Sequence, residues 1–323
     1  MSKVINWGII GAGKIARKFA SDLNTIADCK LIAIASRSIN KAQEFQNEFG
    51  AQIAYGSYEA LVKDSNIHAV YIATPHSFHK EHSILCLNHK KAVLCEKPFA
   101  MNSQEVEEMI HCAKENDTLL MEALWTYFLP HYQYVLDALK SKKFGDILSL
   151  KSDFGFHPKY DETSRVFKKE LGGGSLLDIG IYPIFAALSS LGKPDSISAT
   201  AEFYNNGADS KCDMLFTYNK AEASLNSTFL EETPTEAIFT CEKGTIKING
   251  RWHEPSSVTL TYSNGEVQTK HFPKDTFGYN YEIEHFNQLL REGKTESDIM
   301  TYNFSRLLIN TLDSVRSTIG LDY

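Results

Sequence analysis

A glycine turn close to the amino terminus constrains this chain more than any other feature. Residues 4–10 form a short apolar run that reads as a buried strand, and residues 14–20 carry a helical apolar spacing through Ile15 and Phe19. Between them stands Gly11-Ala12-Gly13-Lys14-Ile15-Ala16, a glycine fingerprint with alanine in its last position. Gly11 permits the tight turn, Gly13 lets a pyrophosphate approach the backbone, and Ala16 lets the helix lie close to the strand. The helix start then aims N–H groups and a partial positive charge at the phosphates. The motif alone is a weak signal, but the strand before it and the helix after it are the context its mechanism requires. Gly11, Ala12, Gly13, Lys14 and Ile15 are therefore candidate contacts to a dinucleotide. The competing reading is a glycine turn that merely joins a strand to a helix.

At 323 residues the chain is long enough for two domains. A change of grammar near Glu122 divides it into a nucleotide-binding part, 1–122, and a second part, 123–323. Lys plus Arg number 33 against 40 Asp plus Glu, a net charge of -7 with no basic cluster, which argues against nucleic acid as a partner. No apolar run approaches membrane-spanning length, so a membrane role is not expected. The chain enters its first strand within a few residues, leaving no room for a signal peptide. The six cysteines are scattered without a CxxC pair and read as buried thiols in a reducing cytoplasm.

The second apolar strand, residues 30–35, ends in Ser36-Arg37-Ser38. An NAD enzyme usually carries Asp or Glu at this junction to bond the ribose hydroxyls, and that carboxylate would repel a 2′-phosphate. Ser36 replaces it and Arg37 offers a fork of donors suited to phosphate, so NADP is the expected cofactor, with NAD possible. An exposed loop arginine is the alternative. Strand and helix signals go on alternating through strands at 51–54, 69–73, 92–95 and 118–122, which means parallel crossovers and a doubly wound sheet. Ligands bind beyond the carboxyl ends of such strands. That rule adds Thr74, Pro75, His76, His79, Glu96 and Lys97 to the candidate cofactor contacts. The run His76-Ser77-Phe78-His79-Lys80-Glu81-His82 raises the question of a metal. His76 and His82 are six apart, on different sides of a helix, and no HExxH pattern accompanies them, so no metal is expected. Cofactor contacts or ordinary helix surface remain.

From Asp146 onward strand follows strand: 147–156, 196–204, 211–218, 221–228, 236–240, 244–249, 257–262 and 267–272, separated by tight turns. This is a large, mostly antiparallel, open-faced sheet, so the fold class is α/β plus α+β. Two helices, about 279–292 and 301–317, finish the chain. One segment interrupts the strands: Gly172-Gly173-Gly174-Ser175-Leu176-Leu177-Asp178-Ile179-Gly180-Ile181-Tyr182-Pro183, the start of a helix running to about Leu191. Asp178 and Tyr182 are i and i+4 and share one helix face. A tyrosine beside a lysine or carboxylate can serve as acid or base, because a cation stabilises the phenolate. Core packing is the alternative use of a tyrosine at that spacing.

Together these stretches resemble the glucose-fructose oxidoreductase/inositol dehydrogenase family, Gfo/Idh/MocA, over essentially the whole chain. Its landmarks are GAGKIA, ATPHSFH, Glu96-Lys97-Pro98 and GGGSLLDIGIYP. The pairing of MEALWTYFLP with LLDIGIYP is similar to the branch of dimeric trans-dihydrodiol dehydrogenases and NADP-dependent D-xylose dehydrogenases. Many members carry His four residues after the Asp; Tyr182 stands there in this chain, which points to that branch rather than to inositol dehydrogenases. The resemblance implies that Lys97 lies near the nicotinamide and orients the substrate hydroxyl. It further implies that Tyr182 exchanges the proton and that Asp178 holds the substrate or Tyr182. His79, Trp125, Phe154, Phe156 and Arg165 would line or support the pocket. It also implies a small sugar or diol substrate, exchangeable NADP and a homodimer paired through the antiparallel sheet. A catalytically silent NADP sensor is the second reading, against which the presence of Lys97, Asp178 and Tyr182 together argues.

Overall fold

The computed structural model describes residues 4–323. Its first sheet comprises β1 (Ile5–Ile10), β2 (Cys29–Ala35), β3 (Ile53–Tyr55), β4 (Ala69–Ile72), β5 (Ala92–Glu96) and β6 (Leu120–Ala123). They run in the order β3-β2-β1-β4-β5-β6, all paired parallel. Every residue of β4, β5 and β6 is buried, as expected of parallel strands covered by helices on both faces. The helices are α1 (Lys14–Leu23), α2 (Ile39–Phe49), α3 (Tyr58–Val62), α4 (His79–Asn88) and α5 (Ser103–Glu115). Their starts are written in the sequence. Ser38, Ser57 and Asn102 each accept a hydrogen bond from an amide in the first turn of α2, α3 and α5. The run from His76 to Asn88 is not one continuous α-helix: His76–Phe78 forms one 3-10 turn before α4 begins. Strand order reverses between β1 and β4, and such a switch point is where open parallel sheets bind ligands.

The second sheet comprises β7 (Ile147–Gly155), β8 (Ser196–Phe203), β9 (Asp209–Thr217), β10 (Glu222–Thr228), β11 (Ala237–Cys241), β12 (Gly244–Ile248), β13 (Val258–Tyr262) and β14 (Val267–Lys270). They run in the order β14-β13-β12-β11-β7-β10-β9-β8, with β7 and β10 the parallel pair in an otherwise antiparallel sheet. One face is apolar, with Leu150, Phe154, Leu225, Met214, Phe216 and Phe239 all buried. It packs on α7 (Ile181–Leu191), and α6 (Pro130–Lys140) lies beside α7. Alternate residues such as Asp213, Leu215 and Ser224 are exposed on the other face, as half-buried sheets require.

Two expectations need correction. The segment Lys169–Leu191 is long and apolar enough to cross a membrane by length and composition, contrary to the reading that no such run exists. Its apolar part, residues 176–188, is buried within the protein against the second sheet. Nor does everything after residue 122 form one unit. The chain separates into one compact unit ending at Trp125 and completed by Asp275–Arg306, and another made of Thr126–Lys274 and Leu307–Tyr323. The reason lies in α8 (Tyr279–Arg291), which packs on α1. Trp7 of β1 donates its indole N–H to Asn287 at 3.0 Å. Asp22, 1% exposed near the end of α1, accepts from the amides of Phe277 at 3.0 Å and Tyr279 at 2.8 Å and so fixes the entry to α8.

Asp22→Ala strands those amide donors beside a closed surface. It should lower unfolding free energy by about 1–3 kcal/mol, with Asp22→Asn losing less because one carbonyl acceptor remains, as measured by urea unfolding.

Candidate functional site

In the first unit the strand ends gather most of the residues marked by sequence. Gly11 has φ +100°, and a Cβ there would lie 2.6 Å from the carbonyl oxygen of Ala73, so only glycine fits. A Cβ on Gly13, by contrast, would meet nothing within 4 Å. Gly13 also caps α1 with no side-chain hydrogen bond. Open space above that residue and uncapped first-turn amides fit the pyrophosphate of a dinucleotide. Ala12 and Ile15 are half-buried on this turn and Lys14 is exposed.

Ser36 and Arg37 follow β2. The Arg37 guanidinium lies 5.8 Å from the Phe78 ring centroid and bonds the phenol of Tyr58, lowering a pKa that burial raises more strongly. Phe78 and Tyr58 thus hold this exposed arginine from two sides. His82 stacks on Phe78 with centroids 5.7 Å apart and pairs through Nδ1 with the Thr74 hydroxyl at 3.0 Å. Burial and the Arg37 charge push His82 down to about 4, so it is neutral near pH 7. Ser38 is spent on capping α2.

All three histidines of this stretch, His76, His79 and His82, are buried, which corrects the alternative of ordinary helix surface. His79 is fully enclosed. Its Nδ1 lies 2.8 Å from the carbonyl of Pro98 and its Nε2 lies 2.9 Å from that of Thr74. Both acceptors are backbone carbonyls, so the ring bridges the turn at Thr74-Pro75 and the turn at Lys97-Pro98. The Lys97-Pro98 peptide is cis. Glu122, at the end of β6, ties down the same turn: its carboxylate accepts from the Phe99 amide at 3.0 Å and from the Ser305 hydroxyl at 2.7 Å. Glu96 accepts from the Tyr71 phenol and from the Lys97 amide. Lys97 itself is half-buried. Trp125, 4% exposed, stacks flat on Tyr279 at 4.5 Å.

Burial sets the acids of this neighbourhood. Desolvation lifts Glu122 from 4.5 to about 7 against its two hydrogen bonds, and Glu96 nearby lifts it further. Glu282 of α8 is fully buried and raised well above the carboxylate range by desolvation, then by Glu96 and Asp22.

In the second unit the interrupting segment is more irregular than its spacing suggests. Leu176–Gly180 forms a π-helical turn that leads directly into α7, in place of a continuous α-helix. Such turns recur at functional positions. Asp178 is on the π turn and Tyr182 on the first turn of α7. Two guanidinium nitrogens of Arg165 approach the same carboxylate oxygen of Asp178 at 3.3 Å. Gly173 permits this: a Cβ there would lie 2.6 and 2.7 Å from the carbonyls of Lys168 and Arg165, so the Arg165 turn closes only over glycine. Tyr182 is 5% exposed and stands in an aromatic enclosure. The Phe154 ring is 5.6 Å away, that of His253 5.1 Å and that of Trp252 6.4 Å. Phe156 is one layer further out, packing on Phe229 at 5.1 Å.

His253 carries no sequence signal, since it lies in a turn between strands with no motif around it. The fold buries it to 3% and stacks it on Phe154 with ring centroids 4.0 Å apart. Its loop is pinned at several points. Thr126 Oγ1 donates to the His253 carbonyl at 2.8 Å, Trp252 Nε1 donates to the Asp153 carbonyl at 3.1 Å, and His131 Nε2 reaches the Trp252 carbonyl at 2.9 Å. Glu122, Tyr58 and Phe78 were equally silent, because their partners lie far along the chain or on a neighbouring helix.

Comparison with known proteins bears on both units. A family model described as "Oxidoreductase family, NAD-binding Rossmann fold" matches residues 5–124, and one described as "GFO/IDH/MocA C-terminal domain" matches residues 132–247. The trans-1,2-dihydrobenzene-1,2-diol dehydrogenase of Xenopus tropicalis is 34% identical over 327 residues, covering 98% of each chain. The scyllo-inositol 2-dehydrogenase (NADP(+)) of Bacillus subtilis is 33% identical over 326 residues, covering 99% of this chain and 98% of its own. Among solved structures, a 3-ketoreductase from Actinomadura kijaniata in complex with NADP and TDP-benzene superposes with a TM-score of 0.89 at 26% identity, covering 98% of each chain. An inositol dehydrogenase thus stands nearly level with the dihydrodiol enzymes, so the expected separation from inositol dehydrogenases is not visible in overall identity.

The raised Glu122 carboxyl gives a signed pH effect. Between 4.5 and about 7 the folded state holds a proton that the unfolded state has released, so this group's contribution is present at low pH and is lost as pH rises through that window, by about 3 kcal/mol. Glu122→Gln should therefore show a smaller fall in unfolding free energy between pH 5 and pH 8 than the parent protein, measured by denaturant titration at both pH values.

Proposed function

The chain belongs to the Gfo/Idh/MocA oxidoreductases, and from that premise we propose that it transfers a hydride between NADP and a secondary alcohol or hemiacetal of a sugar or cyclic diol. The nicotinamide supplies the hydride-accepting and hydride-donating chemistry when bound. The observation that carries the reading is the placement of Asp178 and Tyr182 on successive turns, with the phenol almost wholly enclosed by Phe154, Trp252 and His253. An enclosed phenol exchanges its proton with the substrate rather than with bulk water.

In this reading Tyr182 accepts the alcohol proton as the substrate is oxidised and returns it in reduction. Lys97 orients the substrate hydroxyl and, as a cation, favours the phenolate form of its partner. Asp178 accepts a hydrogen bond from a substrate hydroxyl, and Arg165 keeps that carboxylate aimed. Arg37, held by Phe78 and Tyr58, takes the 2′-phosphate. Gly11, Gly13 and the first turn of α1 take the pyrophosphate. The exposed face of the second sheet, with a shallow cavity of about 430 Å³ bordered by Lys151, Thr200, Asp213, Leu215, Ser224 and Asn226, is the surface through which two copies pair. All six cysteines are buried free thiols, which suits a reducing, cytoplasmic setting.

A screen of aldoses, inositols and trans-dihydrodiols with NADP separates this reading from an NADP sensor: tight NADPH binding with no turnover on any of them would favour the sensor. Given a substrate, Tyr182→Phe and Lys97→Met should each lower kcat roughly 10²–10⁴-fold while NADPH affinity is kept, and full activity in Tyr182→Phe removes the phenol from the mechanism. Arg37→Ala should raise the dissociation constant of NADPH far more than that of NADH, by titration of intrinsic fluorescence; equal weakening of both overturns the phosphate assignment.

A further inference from the structure

The helix that presents Asp178 and Tyr182 starts on a buried carboxylate that belongs to neither the glycine block nor any motif. Asp209, the first residue of β9, is 0% exposed. One of its oxygens accepts from the Ser175 hydroxyl and from the Leu176 amide, both at 2.7 Å. The Ser175 hydroxyl in turn lies 3.1 Å from that of Ser227 on β10, and both serines are fully buried. Strand β9 thereby supplies from outside the helix the cap that its own first residues lack: Ser175 makes no side-chain cap bond to the π turn.

The glycines of the block answer to the same anchor. A Cβ on Gly174, where φ is +126°, would lie 2.1 Å from the other oxygen of Asp209, and a Cβ on Gly180 would lie 2.8 Å from Ser227 Oγ. Removing both Cβ atoms lets the π turn sit directly on β9 and β10. Its height above the sheet and its rotation about its own axis are then fixed at two points, one on each side of Asp178. Few groups could do this, because a buried carboxylate that receives an amide and a hydroxyl is a strong and directional acceptor, whereas apolar packing permits sliding.

We propose that Asp209 is a positioning residue for the reaction: through Ser175 and the Leu176 amide it fixes the register of the π turn, and with it the direction in which Asp178 and Tyr182 present their reacting atoms. The catalytic half of this statement rests on Tyr182 being the proton-exchanging group. A displacement of about 1 Å at reacting atoms costs on the order of 10²-fold in rate, so the anchor need not touch substrate to matter. Asn in place of Asp209 offers a carbonyl oxygen of the same reach and can accept the same two hydrogen bonds, whereas Ala offers none.

The experiment compares Asp209→Ala, Asp209→Asn and Ser175→Ala in the full chain. It reads the Cζ carbon resonance of Tyr182, assigned by its disappearance in Tyr182→Phe, together with NADPH-dependent turnover of the best sugar or diol from the screen and the NADPH dissociation constant. The resonance needs no substrate, and Ser175→Ala, which deletes a single oxygen, provides a folded protein should Asp209→Ala fail to fold. The expected result is a shifted Tyr182 resonance and a kcat lowered on the order of 10²-fold in the alanine variants with NADPH affinity unchanged, and recovery of most of both in Asp209→Asn. An unmoved resonance in the folded alanine variants overturns the proposal, as does Asp209→Asn behaving like Asp209→Ala. A moved resonance with unaltered turnover overturns the role in the reaction and leaves Asp209 an anchor of the π turn alone, whereas full activity in Tyr182→Phe overturns the underlying reading of the phenol.

Discussion

The backbone at residue 11 passes so close to the carbonyl of Ala73 that no side-chain atom can stand between them, and the nucleotide-binding unit depends on that approach. It brings the turn after β1 against the turn after β4, the two strands that flank the point where strand order reverses. From there the constraint spreads by hydrogen bonding rather than by chain continuity. Thr74, next to Ala73, gives its carbonyl to His79, whose other nitrogen reaches Pro98, and Phe99 gives its amide to Glu122. One missing Cβ is thus the first of a series of contacts that ends at the turn carrying Lys97. The contacts of His79 and Glu122 each fall on a backbone carbonyl or amide of a turn.

That series ends on a carboxyl that burial holds above its ordinary range. Burial raises Glu282 well above the carboxylate range and Glu122 to about 7, and Glu122 serves as a directional acceptor for an amide and a hydroxyl more than as a counter-ion. The distinction matters beside a lysine. In this buried wall the Lys97 charge lowers the Glu122 pKa less than that carboxyl's two hydrogen bonds do, and the Lys97 amide donates to Glu96. Tyr71, stacked at 3.6 Å on Phe19 and donating to Glu96, contributes another neutral donor to the same wall. The aromatic interior of this unit and the acidity of its strand ends are therefore linked, since the one supplies the low dielectric that sets the other.

How far the sequence could be read follows from the range of the forces involved. Strand alternation, the glycine turn, and the caps Ser38, Ser57 and Asn102 are encoded within a few residues of where they act, so periodicity and spacing reveal them. The sheet order and the crossover logic follow from such local signals with little added. The assignment of α8 to the first unit does not, because it hangs on Trp7 meeting Asn287 and on Asp22 meeting Tyr279, pairs more than two hundred and fifty residues apart. His253 escaped for the same reason: nothing near it in the chain distinguishes it from any other turn residue, and only the pinning of its loop turns it toward Tyr182. The block from Gly172 to Pro183 is the instructive intermediate case. Its glycines advertise a close approach, but the spacing of Asp178 and Tyr182 suggests a regular α-helix because periodicity presumes one. The π turn meets two surfaces supplied from elsewhere, a carboxylate at residue 209 and a hydroxyl at residue 227. A sequence can show that backbone must come close to something; which partner it meets, and how the helix yields to meet it, is decided by the fold.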